Sequence, residues 1–133
     1  MIRKIFPAAV SELEAAITFL EDEFDKHEVS IKTSIQMKIA LEEIFVNVAS
    51  YAYPDGGGTV TLELDITEGV ITLRFIDSGI PFDPLAKPDP DITLSAEKRG
   101  IGGLGIFMVK KTMDDVTYSY ENHQNILTLV KKS

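Results

Sequence analysis

The sequence is organised around Lys38-Ile39-Ala40-Leu41-Glu42-Glu43-Ile44-Phe45-Val46-Asn47-Val48-Ala49. Neither Gly nor Pro occurs between Ser30 and Tyr53, and most residues of this segment are good helix formers. The pattern predicts one long helix that begins near Ser30, Thr33 or Ser34, any of which can act as an N-cap. The helix should end at Tyr53, because a Pro and three Gly residues follow within residues 54–58.

Placed on a helical wheel at about 100° per residue, this segment shows two polar strips instead of one. Glu43 and Asn47 belong to the second strip, which lies between apolar neighbours, and such a strip is costly to bury unless something pairs with it. Their spacing of four directs a carboxylate and an amide to one place. Hard oxygen ligands of this kind suit a magnesium ion or the activation of a hydroxyl group. The alternative is a Glu–Asn pair that is merely exposed at the helix edge. The broad apolar face comprises Met37, Ala40, Leu41, Ile44, Phe45 and Val48.

Composition narrows the possible functions. A chain of 133 residues is long enough for one domain with a core, and we expect a single domain over residues 1–133. The net charge of −8 argues against nucleic acid as a partner, since phosphate neutralisation needs clustered Lys and Arg. There is no apolar run of membrane-span length and no cysteine, which excludes a disulfide framework and thiolate chemistry. The cytoplasm is therefore the expected compartment.

The remaining pattern predicts an α+β domain. A strand is expected at residues 2–6, followed by a helix to about His27 that begins with a capping box of Ser11 and Glu14. Alternation over residues 59–67 and 70–76, joined by a two-residue turn, predicts a hairpin. A short helix should follow Gly105, and residues 116–120 and 126–130 should form a closing hairpin.

Between the two hairpins lie a proline- and aspartate-rich segment and a glycine cluster. A stretch of about 20 residues without regular structure is usually a binding loop or lid, which we expect to become ordered when phosphates bind. The cluster Gly100-Ile101-Gly102-Gly103-Leu104-Gly105 opens a helix, and such loops bind anions. Its G-x-G-x-x-G spacing does not indicate a dinucleotide fold, because no βαβ series surrounds it. A protein-kinase glycine loop is excluded by the absence of a D-F-G sequence. The remaining alternative is a set of glycines that only cap a helix.

Together with Asp77-Ser78-Gly79, which alone could be a simple turn, these segments resemble the GHKL (Bergerat-fold) ATPase and kinase superfamily. Glu43-x-x-x-Asn47 resembles its N box, Asp77-x-Gly79 its first glycine box, and residues 100–105 its second, in the family's order. Residues 47–53, 77–83 and 103–116 are similar in particular to the stand-alone bacterial anti-sigma factor serine kinases. The resemblance implies a two-layer α/β sandwich, with a mixed, mainly antiparallel sheet, helices on one face and an ATP lid at about residues 80–102.

The resemblance also implies roles for individual residues. Glu43 would be the general base, Asn47 the magnesium (Mg2+) ligand that bridges to the phosphates of ATP, and Asp77 the acceptor for the adenine amino group. Gly79 would let the backbone approach the base, which a residue without Cβ allows. The charge and position of Arg99 and Lys98 make either of them a candidate for the γ-phosphate contact. The residues expected around the nucleotide are Asn47, Asp77, Gly79, Arg99, Gly100, Gly102, Gly103, Leu104 and Gly105.

The implied function is an ATP- and Mg2+-dependent protein serine kinase that phosphorylates an anti-sigma factor antagonist and sequesters a sigma factor, with a homodimer expected by resemblance. One alternative is an ATP-dependent switch that binds partners without phosphorylating them. Another is a histidine-kinase catalytic domain, although His27 and His123 lack a phosphoacceptor context. Two departures from the family pattern are Tyr51 in place of a frequent His, and Gln124-Asn125 in place of Gly-Thr. We expect neither to touch the proposed chemistry directly.

Overall fold

The computed structural model describes residues 1–86 and 104–133. Over these residues the chain forms one sheet of five strands in the order β1-β2-β3-β5-β4, with every pairing antiparallel. The predicted α+β architecture with a mainly antiparallel sheet is confirmed, although the sheet is not mixed over the described residues. The elements are β1 (Ile2–Pro7), α1 (Leu13–Lys26), α2 (Ile31–Asn47), β2 (Thr59–Thr67), β3 (Val70–Asp77), α3 (Leu104–Thr112), β4 (Asp115–Glu121) and β5 (Gln124–Lys132).

The strands alternate between a face packed against the helices and an outward face, as period-two patterning requires. The β2–β3 hairpin turns at Glu68 and Gly69, both with positive φ, as in the turns that match strand twist. On the outward face Arg3, Glu63 and Arg74 lie side by side in the strand register, and both arginines pair with the glutamate. The face toward the helices buries Val60, Leu62, Leu64, Ile71, Leu73, Phe75, Leu127 and Leu129.

Helix α2 contributes the largest part of the helical layer. Its predicted apolar face is confirmed, since all of that face except the half-buried Val48 is buried. The ring of Phe45 meets Phe6 of β1 edge to face, with ring centroids 6.3 Å apart. Ser30 is the N-cap, because its Oγ accepts a hydrogen bond from the Thr33 N–H at 3.2 Å. The helix that carries Glu43 and Asn47 is thereby fixed against the sheet.

Helix α1 begins differently from the prediction. The capping box of Ser11 and Glu14 is wrong, because a 3₁₀ turn at Val10–Glu12 precedes the helix and α1 begins at Leu13. Ser11 therefore lies inside the turn instead of before the helix, and no side chain caps the N-terminus of α1. A 3₁₀ entry uses its own backbone bonds for the groups that the box would have satisfied.

The end of α2 is also altered. A π-helical turn at Val48–Ala52 continues the helix, as widened turns often do near functional sites. It brings the Ala52 carbonyl against the segment after β3, where this oxygen accepts the Ile80 N–H at 2.8 Å. Of the predicted lid, the structure describes residues 80–86, with a 3₁₀ turn at Pro84–Ala86. Lys98, Arg99, Gly100, Gly102 and Gly103 lie outside the described residues. No helix in the described ranges could span a bilayer.

Candidate functional site

A cleft opens between the C-terminal half of α2 and the sheet. Its walls are apolar, with Ile44 and Val48 from the helix side and Phe75 and Leu127 from the sheet. The polar side chains that line it include those of Asn47, Asp77, Asn125 and Tyr118. An apolar slot with few convergent polar groups is the usual form of a small-molecule site, and a flat heterocyclic ring suits it.

Asp77, the last residue of β3, is the acidic group of this cleft, and only 5% of it is exposed. Its Oδ1 accepts two hydrogen bonds, from the Gly79 N–H and from Asn125 Nδ2, both at 2.9 Å. No donor in the described part of the chain reaches its Oδ2. Burial raises the pKa of Asp77 above the ordinary aspartate value, and the two hydrogen bonds partly offset that rise. As far as the described residues go, the carboxyl group therefore has one oxygen that can accept from a ligand in the cleft.

Gly79 follows Asp77 at a point of close backbone contact. A Cβ added there would lie 2.2 Å from the Ala52 carbonyl oxygen, a distance that only glycine avoids. The Ile80 N–H bond to the same carbonyl holds the two segments together. The glycine predicted here is thus required by the packing of the π-helical turn against the post-β3 segment.

Glu43 and Asn47 come together as their spacing predicted. Asn47 Nδ2 donates to Glu43 Oε1 at 3.3 Å, and both side chains are half-buried. Asn47 lines the cleft, whereas Glu43 lines an adjoining groove with Ile39, Met108 and Gly105. The two residues therefore connect the cleft to a second, more open surface.

Gly105 brings the first turn of α3 against Glu43. A Cβ at Gly105 would lie 2.1 Å from the Glu43 carboxyl carbon, so the absence of a side chain allows the contact. The first turn of a helix carries unpaired N–H groups and a partial positive charge. The Glu43 carboxylate is thus placed beside a helix end that favours negative charge, where phosphate oxygens would also be stabilised.

The donor set fits a magnesium ion that arrives with phosphates better than one bound by protein alone. The described residues contain no cluster of three or more His, Asp or Glu side chains that could hold a metal. Asn47 and Glu43 nevertheless each carry a hard oxygen atom, and their side chains are in contact through the hydrogen bond from Asn47 Nδ2 to Glu43 Oε1. Mg2+ commonly keeps several waters and uses one or two protein oxygens together with substrate phosphates.

Sequence reasoning missed the role of Asn125, which lies beside Asp77 on the neighbouring strand β5. The expectation that the Gln124-Asn125 departure leaves the site untouched is wrong, because Asn125 donates directly to Asp77 and Tyr118 donates to Asn125 Oδ1. Asp77 and Asn125 are directly opposite in the β3–β5 register, so a predicted register could have revealed the contact. Tyr51, the other departure, is mostly exposed, with its ring centroid 6.4 Å from that of Phe82.

Tyr53 is a second residue that sequence reasoning missed. Its hydroxyl donates to the Thr59 carbonyl at 2.6 Å and accepts the Ser78 N–H at 2.8 Å. It therefore ties the end of the helical segment both to the start of β2 and to the turn after Asp77. Burial raises the pKa of this phenol, and the neighbouring Asp77 charge raises it further.

Comparison with known families gives a clear result. The model of the histidine kinase-like ATPase domain matches residues 6–131, which is nearly the whole chain. The chain belongs to the histidine kinase-like ATPase family. Membership confirms the resemblance found in the sequence, and use of ATP is implied by the family.

Curated relatives of this ATPase domain include serine-protein kinases. The serine-protein kinase RsbW of Listeria monocytogenes is 31% identical over 96 residues, covering 68% of this chain and 61% of that protein. RsbW of Bacillus cereus is 28% identical over 95 residues, covering 68% and 59%. The chain thus spans about three fifths of the length of these relatives.

Among solved structures, the histidine kinase AdeS of Acinetobacter baumannii has the same fold. It matches with a TM-score of 0.51 and 13% identity, covering 99% of this chain and 68% of that one. At this identity the likeness concerns the fold alone. It agrees with the family assignment for the sheet and helices described above.

Proposed function

We propose that this ATPase domain binds ATP with Mg2+ and transfers the γ-phosphoryl group to a serine of a protein substrate. The observation that carries the proposal is the spatial order of three side chains: Asp77 lies in the cleft, Asn47 at its wall, and Glu43 beside the start of α3. These are an acceptor for a base, an oxygen ligand for a phosphate-bound cation, and a carboxylate that can accept a proton. The names of the relatives, serine-protein kinases, support the choice of acceptor.

In the proposed reaction each group has one task. The adenine amino group donates to Asp77 Oδ2, and the ring lies against the apolar walls of the cleft. Asn47 would help to hold a phosphate-bound magnesium ion through its amide oxygen, and the ion would supply neutralisation of the negative charge that develops on the phosphates. Glu43 accepts the proton of the serine hydroxyl as the serine oxygen forms its bond to the γ-phosphorus. The bond between that phosphorus and the bridging oxygen breaks, and ADP leaves with the electron pair.

The proposed partners follow from the resemblance and from the relatives. The serine would belong to an anti-sigma factor antagonist, and the domain would also bind a sigma factor, as a soluble cytoplasmic protein that can form a homodimer. Arg99 or Lys98, together with Gly100, Gly102, Gly103 and Leu104, would complete the phosphate site. The residues from about 80 to 102 would act as the lid.

Incubation of the protein with γ-labelled ATP, magnesium and candidate antagonists tests the proposal. We expect label on a serine of one antagonist, with ADP formed in equal amount. ATP turnover without a labelled protein, or no binding of ATP at all, would contradict the kinase assignment. Omission of magnesium, with a chelator present, is the control for the metal requirement.

A second candidate function is an ATP-dependent switch that binds partners without phosphorylating them. It is favoured by one observation: Glu43 lines the groove that adjoins the cleft instead of the cleft itself, so a base can occupy the cleft without contacting it. Partner binding that depends on ATP, with no phosphate transferred and no effect of Glu43→Gln, would replace the kinase by the switch.

A further inference from the structure

Asn125 is the most completely bonded polar side chain near the cleft, and no role is assigned to it by the proposed reaction. It is 5% exposed and lies opposite Asp77 in the β3–β5 register. Its Nδ2 donates to Asp77 Oδ1 and to the Ile80 carbonyl, each at 2.9 Å. Its Oδ1 accepts the Phe82 N–H at 3.1 Å and the Tyr118 hydroxyl.

These four partners determine which way the amide faces. If its oxygen and nitrogen were exchanged, an oxygen would face the Asp77 carboxylate and the Ile80 carbonyl. The nitrogen would then face the Phe82 N–H, which can only donate. One orientation satisfies all partners and the other satisfies almost none, so the amide is locked.

The locked amide has a consequence for Asp77. Asp77 Oδ1 is already occupied by Asn125 Nδ2 and the Gly79 N–H, which leaves Oδ2 as the acceptor that faces a ligand. A fixed, one-sided acceptor favours a purine with an amino group at C6 and disfavours one with a carbonyl there. The same side chain also fixes the backbone at residues 80–82, where the proposed lid begins.

We propose that Asn125 is a positioning residue for nucleotide selection: it orients Asp77 toward the 6-amino group of a purine and holds the backbone of residues 80–82 beside that carboxylate. The proposal rests on the proposed nucleotide site.

The electrostatic surroundings agree with this role. The hydrogen bond from Asn125 lowers the pKa of Asp77 against the rise caused by burial. Among the described residues, the other titratable groups near this site are the phenols of Tyr53 and Tyr118 and, near Tyr118, the Asp83 carboxylate and the Tyr120 phenol. The Tyr53 and Tyr118 phenols have raised pKa values and stay neutral at neutral pH. Because the hydrogen bond from Asn125 lowers the pKa of Asp77, removal of the amide should raise that pKa further.

The test compares ATP with purine riboside triphosphate, which lacks the 6-amino group. Calorimetry on the full chain with magnesium gives the ratio of the two affinities for the parent and for Asn125→Leu, a variant of similar size without hydrogen-bonding groups. We expect the parent to prefer ATP by roughly 10- to 100-fold, as for a hydrogen bond to a charged group. In Asn125→Leu the ratio should fall toward one, while the affinity for purine riboside triphosphate changes little.

Gln124→Leu is the matched control, because it removes an amide from the neighbouring position without touching Asp77; it should keep the parent ratio. A structural role alone would weaken both nucleotides equally and leave the ratio unchanged. If Asn125→Leu does not melt cooperatively, Asn125→Ala gives the same comparison with room for water.

A second readout is acid sensitivity: ATP affinity of the Asn125 variants should begin to fall at a higher pH than that of the parent.

The outcomes separate the two proposals. If the parent binds no nucleotide, the proposed function fails and this inference fails with it. If the parent prefers ATP and the Asn125 variants keep that preference with an unchanged pH profile, only the inference is overturned. Loss of the preference in Gln124→Leu to the same extent would also overturn it, since the effect would then not be specific to the contact with Asp77.

Discussion

Asp77 combines a cost in stability with a gain in recognition. Its carboxyl group is buried among apolar walls, and burial raises its pKa because the charged form is disfavoured there. A carboxyl group whose folded pKa is raised contributes stability below the unfolded pKa, and this contribution is lost as pH rises through the folded pKa. At neutral pH the ionised side chain therefore opposes folding while it supplies the acceptor for a base.

Asp77→Asn should separate these two effects. The amide oxygen can still accept from Gly79 and Asn125, but its nitrogen would present a donor toward the adenine amino group. We expect ATP affinity to fall at least tenfold, with a melting temperature equal to or above that of the parent at pH 7. Calorimetry and thermal melting measure both. A variant that melts well below the parent and still binds ATP would show that Asp77 is structural.

Glu43→Gln tests the proposed general base. Glutamine keeps the size of the side chain and can still accept from Asn47 Nδ2, but it cannot take a proton from serine. We expect ATP affinity close to that of the parent and a phosphoryl transfer rate lower by about 10²- to 10⁴-fold. Glu42→Gln, the same change at the exposed neighbouring position, is the control and should transfer phosphate at the parent rate. Equal rates for all three proteins would exclude Glu43 as the base.

Two contacts between secondary-structure elements depend on glycine, at Gly79 and at Gly105. They differ in the atoms that an added Cβ would approach. Gly79 faces the backbone carbonyl at the end of the π-helical turn. Gly105, in the first turn of α3, faces the far end of the flexible Glu43 side chain. A backbone carbonyl fixed by the Ile80 N–H cannot move without breaking that bond, whereas a carboxylate can rotate away.

Gly79→Ala and Gly105→Ala should therefore have different effects. The first should lower the free energy of unfolding by about 1–3 kcal/mol, as overpacking does. The second should leave that free energy nearly unchanged but displace Glu43, so that phosphoryl transfer slows while ATP still binds. Chemical denaturation and the labelled-ATP assay measure the two quantities. Similar losses of stability in both variants would contradict the difference between backbone and side-chain contacts.

For the whole molecule, ligand binding should appear as added stability. A nucleotide that binds the folded chain alone stabilises it by about 2.7 kcal/mol at 100 times Kd. We expect ATP with magnesium to raise the melting temperature more than ATP with a chelator, and GTP to raise it less. The shift should shrink on acidification through the raised pKa of Asp77, because the protonated carboxyl group no longer accepts from adenine. Equal shifts with ATP and GTP would argue against the acceptor role of Asp77.

Local patterns in the sequence were sufficient for most elements of this fold. Period-two alternation located β2 and β3, and helical spacing located α2 together with the Glu43–Asn47 pair, because these signals depend only on neighbours a few residues apart. The predicted capping box at the start of α1 was wrong, because a 3₁₀ turn forms there and bonds the same backbone groups. The glycines at 79 and 105 were found as motifs, but what each one contacts was not predictable from them.

The tertiary structure alone decided how distant residues meet. Asn125 contacts Asp77 across 48 positions of the chain, because β5 inserts between β3 and β4 and its register sets these two residues opposite each other. Ala52 meets Gly79 because a π-helical turn displaces the end of α2 toward the segment after β3. Strand order, register and helix distortion depend on the packing of the whole core. A local sequence pattern is compatible with several arrangements of that core, and only the packed chain selects one of them.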